Sequence, residues 1–125
     1  MKKRIFYHDT DCGGVVYYAN YLKYIEEART AFFEERGVIL QELAKDGVLF
    51  VVARQEVDYK FPAFYADILS VDTKIETMSS VKIVFTHEIR NQDDKVICAA
   101  KTCMVCVDKN IKPRVIPEEL KKKFT

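Results

Sequence analysis

Residues 18–36, YANYLKYIEEARTAFFEER, carry the one long helical period in this chain. Tyr21, Ile25, Ala28 and Phe32 recur three or four positions apart, which puts them on one face of a helix. Leu22 and Ala31 widen that stripe, while Lys23, Glu26, Glu27 and Arg29 suit its edges or its far side. Gly37 stands where a helix C-terminal glycine belongs. The reading predicts a helix of about 19 residues, roughly 28 Å long.

On either side of this helix the period changes. Lys3–His8 reads as a short strand, and Asp9–Gly14 as a turn rich in residues that bond or free the backbone. A short helix is expected at Leu40–Lys45, closed by Gly47. Beyond it, Leu49, Val51, Ala53, Val57 and Tyr59 alternate with Arg54, Glu56, Asp58 and Lys60. Leu69, Val71 and Ile75 alternate with Asp72, Lys74 and Glu76, and Ile83, Phe85, His87 and Ile89 with Lys82, Thr86, Glu88 and Arg90. Each pattern has the two-residue period of an antiparallel strand with one wet face. Val96–Val107 is apolar on both parities except at Lys101 and Thr102, so it belongs centrally in the sheet. Asn91–Asp94 turns into it, and Pro117–Leu120 can start a short terminal helix. Five strands and one long early helix imply an α+β fold in which the helix lies across the apolar face of the sheet. An antiparallel sheet wrapped around one long central helix is the hotdog architecture.

Composition bounds the possibilities. At 125 residues the chain is expected to be one domain, residues 1–125, with 49% apolar residues to build a core. Twenty basic residues face nineteen acidic ones, a balance that argues against nucleic acid as a partner. The longest apolar run is Val48–Ala53, far short of a membrane span, and His8, Asp9 and Asp11 interrupt any signal-peptide core after Met1–Arg4. A soluble, cytoplasmic protein is the expectation. Of four cysteines, Cys98, Cys103 and Cys106 fall in one strand-like run, where thiols act as small apolar groups. Cys103-x-x-Cys106 lacks a second pair and a histidine at ligand spacing, so no metal site is expected.

The segment Tyr7–Leu22, YHDTDCGGVVYYANYL, closely resembles the signature of the 4-hydroxybenzoyl-CoA thioesterase family. In particular it looks like the branch of bacterial acyl-CoA thioesterases associated with the Tol–Pal system. Glu26-Glu27-Ala28-Arg29 matches the E-x-A-R of that family's helix, and Asp58–Ala63 its second recognisable stretch. One position departs: many members of that branch carry His where this chain has Tyr18. The resemblance implies a hotdog fold, hydrolysis of an acyl-CoA thioester without metal or redox cofactor, and Asp11 as the catalytic carboxylate. It also implies a homodimer or homotetramer with active sites at the subunit interface. At Tyr18 it implies a role for the backbone N–H, which any residue but proline supplies.

Thioester hydrolysis needs a base or nucleophile and donors for the oxygen that becomes negative. Asp11 precedes the helix, whose first N–H groups have no internal partners. The amides of Tyr17 and Tyr18 are the expected oxyanion donors. Gly14, Tyr18 and Lys60 are the expected substrate contacts, with Gly13 and Gly14 allowing close approach. Asp11 could attack the carbonyl or deprotonate a water; its plainer alternative role is a helix cap. Asp9 reads as a structural turn residue, and Asn20 as a local tie for the same turn. Glu26 and Glu27 are rival carboxylates whose ordinary role is a solvated helix flank. His87 reads as a hydrogen-bonded core histidine, and His8 has only its adjacency to Asp9 to suggest a base. Arg54, Lys60, Lys82, Arg90 and Lys121–Lys123 are cations available to coenzyme A phosphates, with Lys60 the best placed. The alternatives are a non-catalytic acyl-CoA-binding module, a hydrolase of hydroxybenzoyl- or dihydroxynaphthoyl-CoA, and a hotdog dehydratase, the last lacking its histidine motif.

Overall fold

The computed structural model describes residues 1–125. Its five strands form one antiparallel sheet: β1 (Lys2–Arg4), β2 (Leu49–Tyr59), β3 (Ile68–Met78), β4 (Lys82–Arg90) and β5 (Val96–Val107), in the order β1-β3-β4-β5-β2. Three helices accompany it: α1 (Asn20–Glu35), α2 (Leu40–Lys45) and α3 (Glu118–Phe124). β5 lies between β4 and β2, so both its edges are paired, as its apolar run predicted; the middle strand is β4. The expected first strand is shorter than Lys3–His8, because Tyr7–Asp9 turn into a single 3₁₀ turn.

Helix α1 buries Tyr21, Tyr24, Ile25, Ala28, Arg29, Phe32 and Phe33 and spans two apolar clusters. Tyr21, Tyr24, Ile25 and Ala28 pack with Leu69, Val71, Ile89, Ile97 and Ala100. Phe32 and Phe33 pack with Ile83, Phe85, Met104, Ile116 and Leu120. The helix does not cover the sheet alone, since Leu40 and Leu43 of α2 and Leu120 and Phe124 of α3 complete the second cluster. At 16 residues it is shorter than predicted, because Tyr18 and Ala19 belong to the preceding turn. Leu22, expected to widen the buried stripe, is exposed.

Two bulges correct the simple alternation. Phe50 and Val57 both pack on the core, yet they lie an odd number of residues apart, which a regular strand forbids. The register shift between Val52 and Arg54 supplies the extra residue. Leu49 and Val51, read as inward, therefore turn to the other face with the bulge residue Ala53 left exposed. A second shift, between Ile75 and Thr77, lets Ile75 and Met78 both reach the core.

Candidate active site

The turn ahead of α1 is built on Asp9, which is buried to 6% exposure. A buried carboxylate must be bonded, and this one is. Its Oδ2 accepts the Phe6 N–H at 2.8 Å and its Oδ1 the Tyr24 hydroxyl at 2.7 Å. Its backbone carbonyl accepts the Tyr17 N–H at 3.0 Å and the Asn20 side-chain amide at 2.8 Å. The structural roles read for Asp9 and Asn20 are thus both present, and Tyr24 is the partner that sequence reading missed.

Residues 10–16 form a small hairpin closed by a bridge between Thr10 and Val16, with Asp11–Val15 at its tip. Asp11 is exposed there. Its Oδ1 accepts the Gly13 N–H at 2.8 Å, and its carbonyl accepts the Gly14 N–H at 3.0 Å. Asp11 therefore does not cap the helix; Ala19 holds the N-cap position with no side-chain bond. A Cβ on Gly13 would stand 3.1 Å from Asp11 Oδ1, so the bare backbone lets the carboxylate seat on the Gly13 amide. Gly14 has φ +81°, the left-handed conformation that glycine adopts without penalty, and nothing crowds its Cα.

The expected pair of donors must be corrected. The Tyr17 N–H is taken by Asp9, so it is not free for an oxyanion. The next two peptides are anchored by their carbonyls instead. Tyr17 C=O accepts the Asn20 N–H at 2.9 Å, and Tyr18 C=O accepts the Tyr59 hydroxyl at 3.1 Å. In a trans peptide the N–H points opposite to the C=O. The Tyr18 and Ala19 N–H groups therefore face the other way, and neither has a protein acceptor. Two adjacent, anchored, unpaired amides at the start of a helix favour negative charge. The sequence carries no signal for the Tyr59 anchor, because the contact joins residues 41 positions apart.

Beside these amides lies a cavity of about 270 Å³ lined by Val16, Tyr18, Tyr21, Tyr59, Lys60, Phe61 and Pro62. Tyr18 and Lys60, predicted separately, meet here. Asp11, Gly14 and Tyr17 do not line it, though the Tyr17 ring lies 5.0 Å from that of Tyr18. Burial pushes the Tyr21 hydroxyl up to about 12, so it stays protonated and able to donate. Cys98, buried beneath this region, is held as a thiol by the same cause, at about 11. Glu26 and Glu27 are exposed on the helix flank, as their plainer reading expected.

Away from this cavity the core holds a polar seam. Arg29, expected at the helix edge, is 7% exposed because it sits beside Ile25 and Phe32 on the inner stripe. Its Nη1 donates to Thr102 Oγ1 at 3.3 Å, and Thr102 donates to Gln55 at 2.8 Å. His87 is a buried core histidine whose Nδ1 lies 3.1 Å from Thr73 Oγ1, while its Nε2 has no partner. Burial, and then the nearby Arg29 charge, lower its pKa to about 4.

Known proteins resemble this chain along nearly its whole length. The profile described as the thioesterase-like superfamily matches residues 7–124. The chain belongs to the thioesterase-like superfamily. The acyl-CoA thioester hydrolase YbgC of Escherichia coli strain CFT073 is 38% identical over 122 residues, 97% of this chain and 91% of that one. The acyl-CoA thioesterase YbgC of Haemophilus influenzae is 34% identical, covering 97% of this chain and 90% of its own length. Among solved structures, the DHNA-CoA thioesterase of Staphylococcus aureus superposes with a TM-score of 0.88 at 28% identity, over 92% of this chain and 78% of that one. The five-stranded antiparallel sheet with its buried helix is the hotdog fold shared by this superfamily.

Proposed function

We propose that this protein hydrolyses an acyl-coenzyme A thioester to the free acid and coenzyme A. The observation that carries the reading is the pair of anchored, unpaired amides at Tyr18 and Ala19 beside an aromatic cavity. A thioester carbonyl set against them gains donors that strengthen as its oxygen becomes negative; one such donor is worth ~10²–10³ in rate. Asp11 supplies the carboxylate, as nucleophile on the carbonyl carbon or as base toward water. The acyl group takes the cavity, and Lys60 on its rim meets the polar part of the substrate. Related proteins named for acyl-CoA thioester hydrolysis support the same reading.

The site is completed by a second copy of the chain. Asp11 stands outside the cavity lining of its own subunit, which supports a carboxylate that works across a subunit boundary. β2 is an edge strand of 11 residues paired only with β5, and its other side presents unpaired backbone groups. Exposed Tyr17 and Tyr18, the latter packed against Tyr59 at the end of that strand, give it an aromatic surface that association would cover. A homodimer or homotetramer follows, measurable by sedimentation as two or four chains of 14.5 kDa. No helix is long and apolar enough to cross a membrane, and we place the protein in the cytoplasm with its acyl-CoA substrate.

The test is a hydrolysis screen over short, long and aromatic acyl-CoAs with wild type beside Asp11→Asn. Wild type should turn over at least one class, and the variant should lose ~10²–10⁴ in kcat. Equal turnover by both proteins refutes the role of Asp11. Binding of acyl-CoA without turnover of any thioester by wild type makes the chain an acyl-CoA-binding module instead.

A further inference from the structure

We infer that Tyr24 is a positioning residue for thioester hydrolysis, acting through Asp9 on both halves of the site; the inference rests on the function proposed above. The Tyr24 ring is buried to 2% exposure in the second turn of α1, packed edge-on to Tyr21 at 5.9 Å. Its hydroxyl reaches back out of the helix to Asp9 Oδ1 at 2.7 Å. Asp9 is the node from which the two catalytic parts depart. Asp11 follows it by two residues along the hairpin. The hairpin's other limb returns to Asp9 through the Tyr17 N–H, and the free Tyr18 amide comes next. Asn20 ties the same carbonyl to the first residue of α1. Every bond to Asp9 except that of Phe6 thus comes from the limb carrying Tyr18 or from α1. The tyrosine hydroxyl is the bond that fixes the Asp9 carboxylate to the rigid helix.

Asp9 itself is not the base. Both carboxylate oxygens are committed to donors and the group is buried, so it neither meets water nor faces the cavity. Its charge is dispensable if its geometry is kept. An asparagine at position 9 accepts the Phe6 N–H through Oδ1 and donates through Nδ2 to the Tyr24 hydroxyl oxygen, preserving both links.

The experiment compares kcat and KM of the full-length protein for its best acyl-CoA across Tyr24→Phe, Asp9→Asn, Asp9→Ala, Asp11→Asn and Ile116→Val. The last trims a fully buried residue of the far cluster and reports what mild destabilisation alone does. Tyr24→Phe keeps the ring and loses only the bond. It should lower kcat by about 10–100-fold with KM within about twofold, since displacements of about 1 Å suffice for such losses. Asp9→Ala should lose at least as much, Asp9→Asn should recover most of the rate, and Ile116→Val should match wild type. Melting temperatures taken alongside identify any variant that is merely unfolded at the assay temperature. A folded Tyr24→Phe with wild-type kcat overturns the inference while Asp11→Asn stays inactive. Asp9→Asn as inactive as Asp11→Asn overturns it too, because Asp9 would then act by charge. Full activity in Asp11→Asn refutes the underlying site, a different failure.

Discussion

Acid should destabilise this protein through one buried imidazole, and the size of the effect follows from where His87 sits. It lies on the inner face of β4, 3% exposed, with Thr73 of β3 at Nδ1, the Phe85 ring stacked at 6.3 Å and the Arg29 guanidinium of α1 nearby. No carboxylate forms an ion pair with it. Burial and Arg29 hold its folded pKa at about 4, against an ordinary 6.5 in the unfolded chain. The folded value is depressed, so the neutral form belongs to the folded state. Above about pH 6.5 neither state binds the proton and stability is unaffected. Between 6.5 and about 4 the unfolded chain takes up a proton that the folded protein refuses, and stability falls with pH. A gap of about two and a half pKa units corresponds to roughly 3 kcal/mol over the window. Against a typical domain stability of about 5–15 kcal/mol, that is a large loss.

Urea unfolding followed by far-ultraviolet circular dichroism at several pH values through that window measures it. His87→Asn is neutral throughout and keeps a polar group near Thr73, so its stability should change far less between the same limits. Arg29→Met removes the charge that assists the depression, and should shrink the wild-type loss without abolishing it, because burial is the larger cause. Equal acid losses in wild type and His87→Asn refute the reasoning and move the cause to groups elsewhere.

Two further outcomes follow from the packing of the core and the backbone of the hairpin. Phe33, 1% exposed, meets Phe32, Phe50, Phe85 and Phe124, so Phe33→Ala should cost about 3–5 kcal/mol in urea unfolding, and a loss below about 1 kcal/mol would mean the cluster repacks freely. At Gly14 an added Cβ meets nothing, so the cost is conformational alone; Gly14→Ala should destabilise by roughly 1–2 kcal/mol and Gly14→Asn by less, because asparagine tolerates the left-handed region, and the reverse order of urea midpoints would show that φ is not the constraint.

What the sequence disclosed and what it hid separate along a physical line. Periods of two and of three to four residues are local, and they located β3, β4, β5 and α2 within a residue or two, and four of the seven buried residues of α1. The bulge at Ala53 was hidden because it is defined by β2's pairing with Met104 and Cys103, residues about fifty positions away; without that partner an extra residue looks like continued alternation. Arg29 was misplaced for a similar reason. Its charge argued for solvent, but a helix stripe wide enough to touch both clusters sweeps it inward, where Thr102 receives it. The segment of the proposed active site divides in the same way. Asp11, Tyr18 and Lys60 were named by a motif that encodes chemistry. The choice of which amides stay free is encoded elsewhere, in the Asp9 carbonyl that removes Tyr17 and in the Tyr59 hydroxyl that turns the Tyr18 peptide. An oxyanion site made of backbone leaves no side-chain signature at the residues that donate. It is specified by the groups that hold the opposite ends of those peptides, the Asn20 backbone N–H and the Tyr59 hydroxyl, and of these only the hydroxyl belongs to a side chain. Tyr59→Phe should therefore lower kcat more than a side-chain change at Tyr17, whose own amide is already spent on the fold.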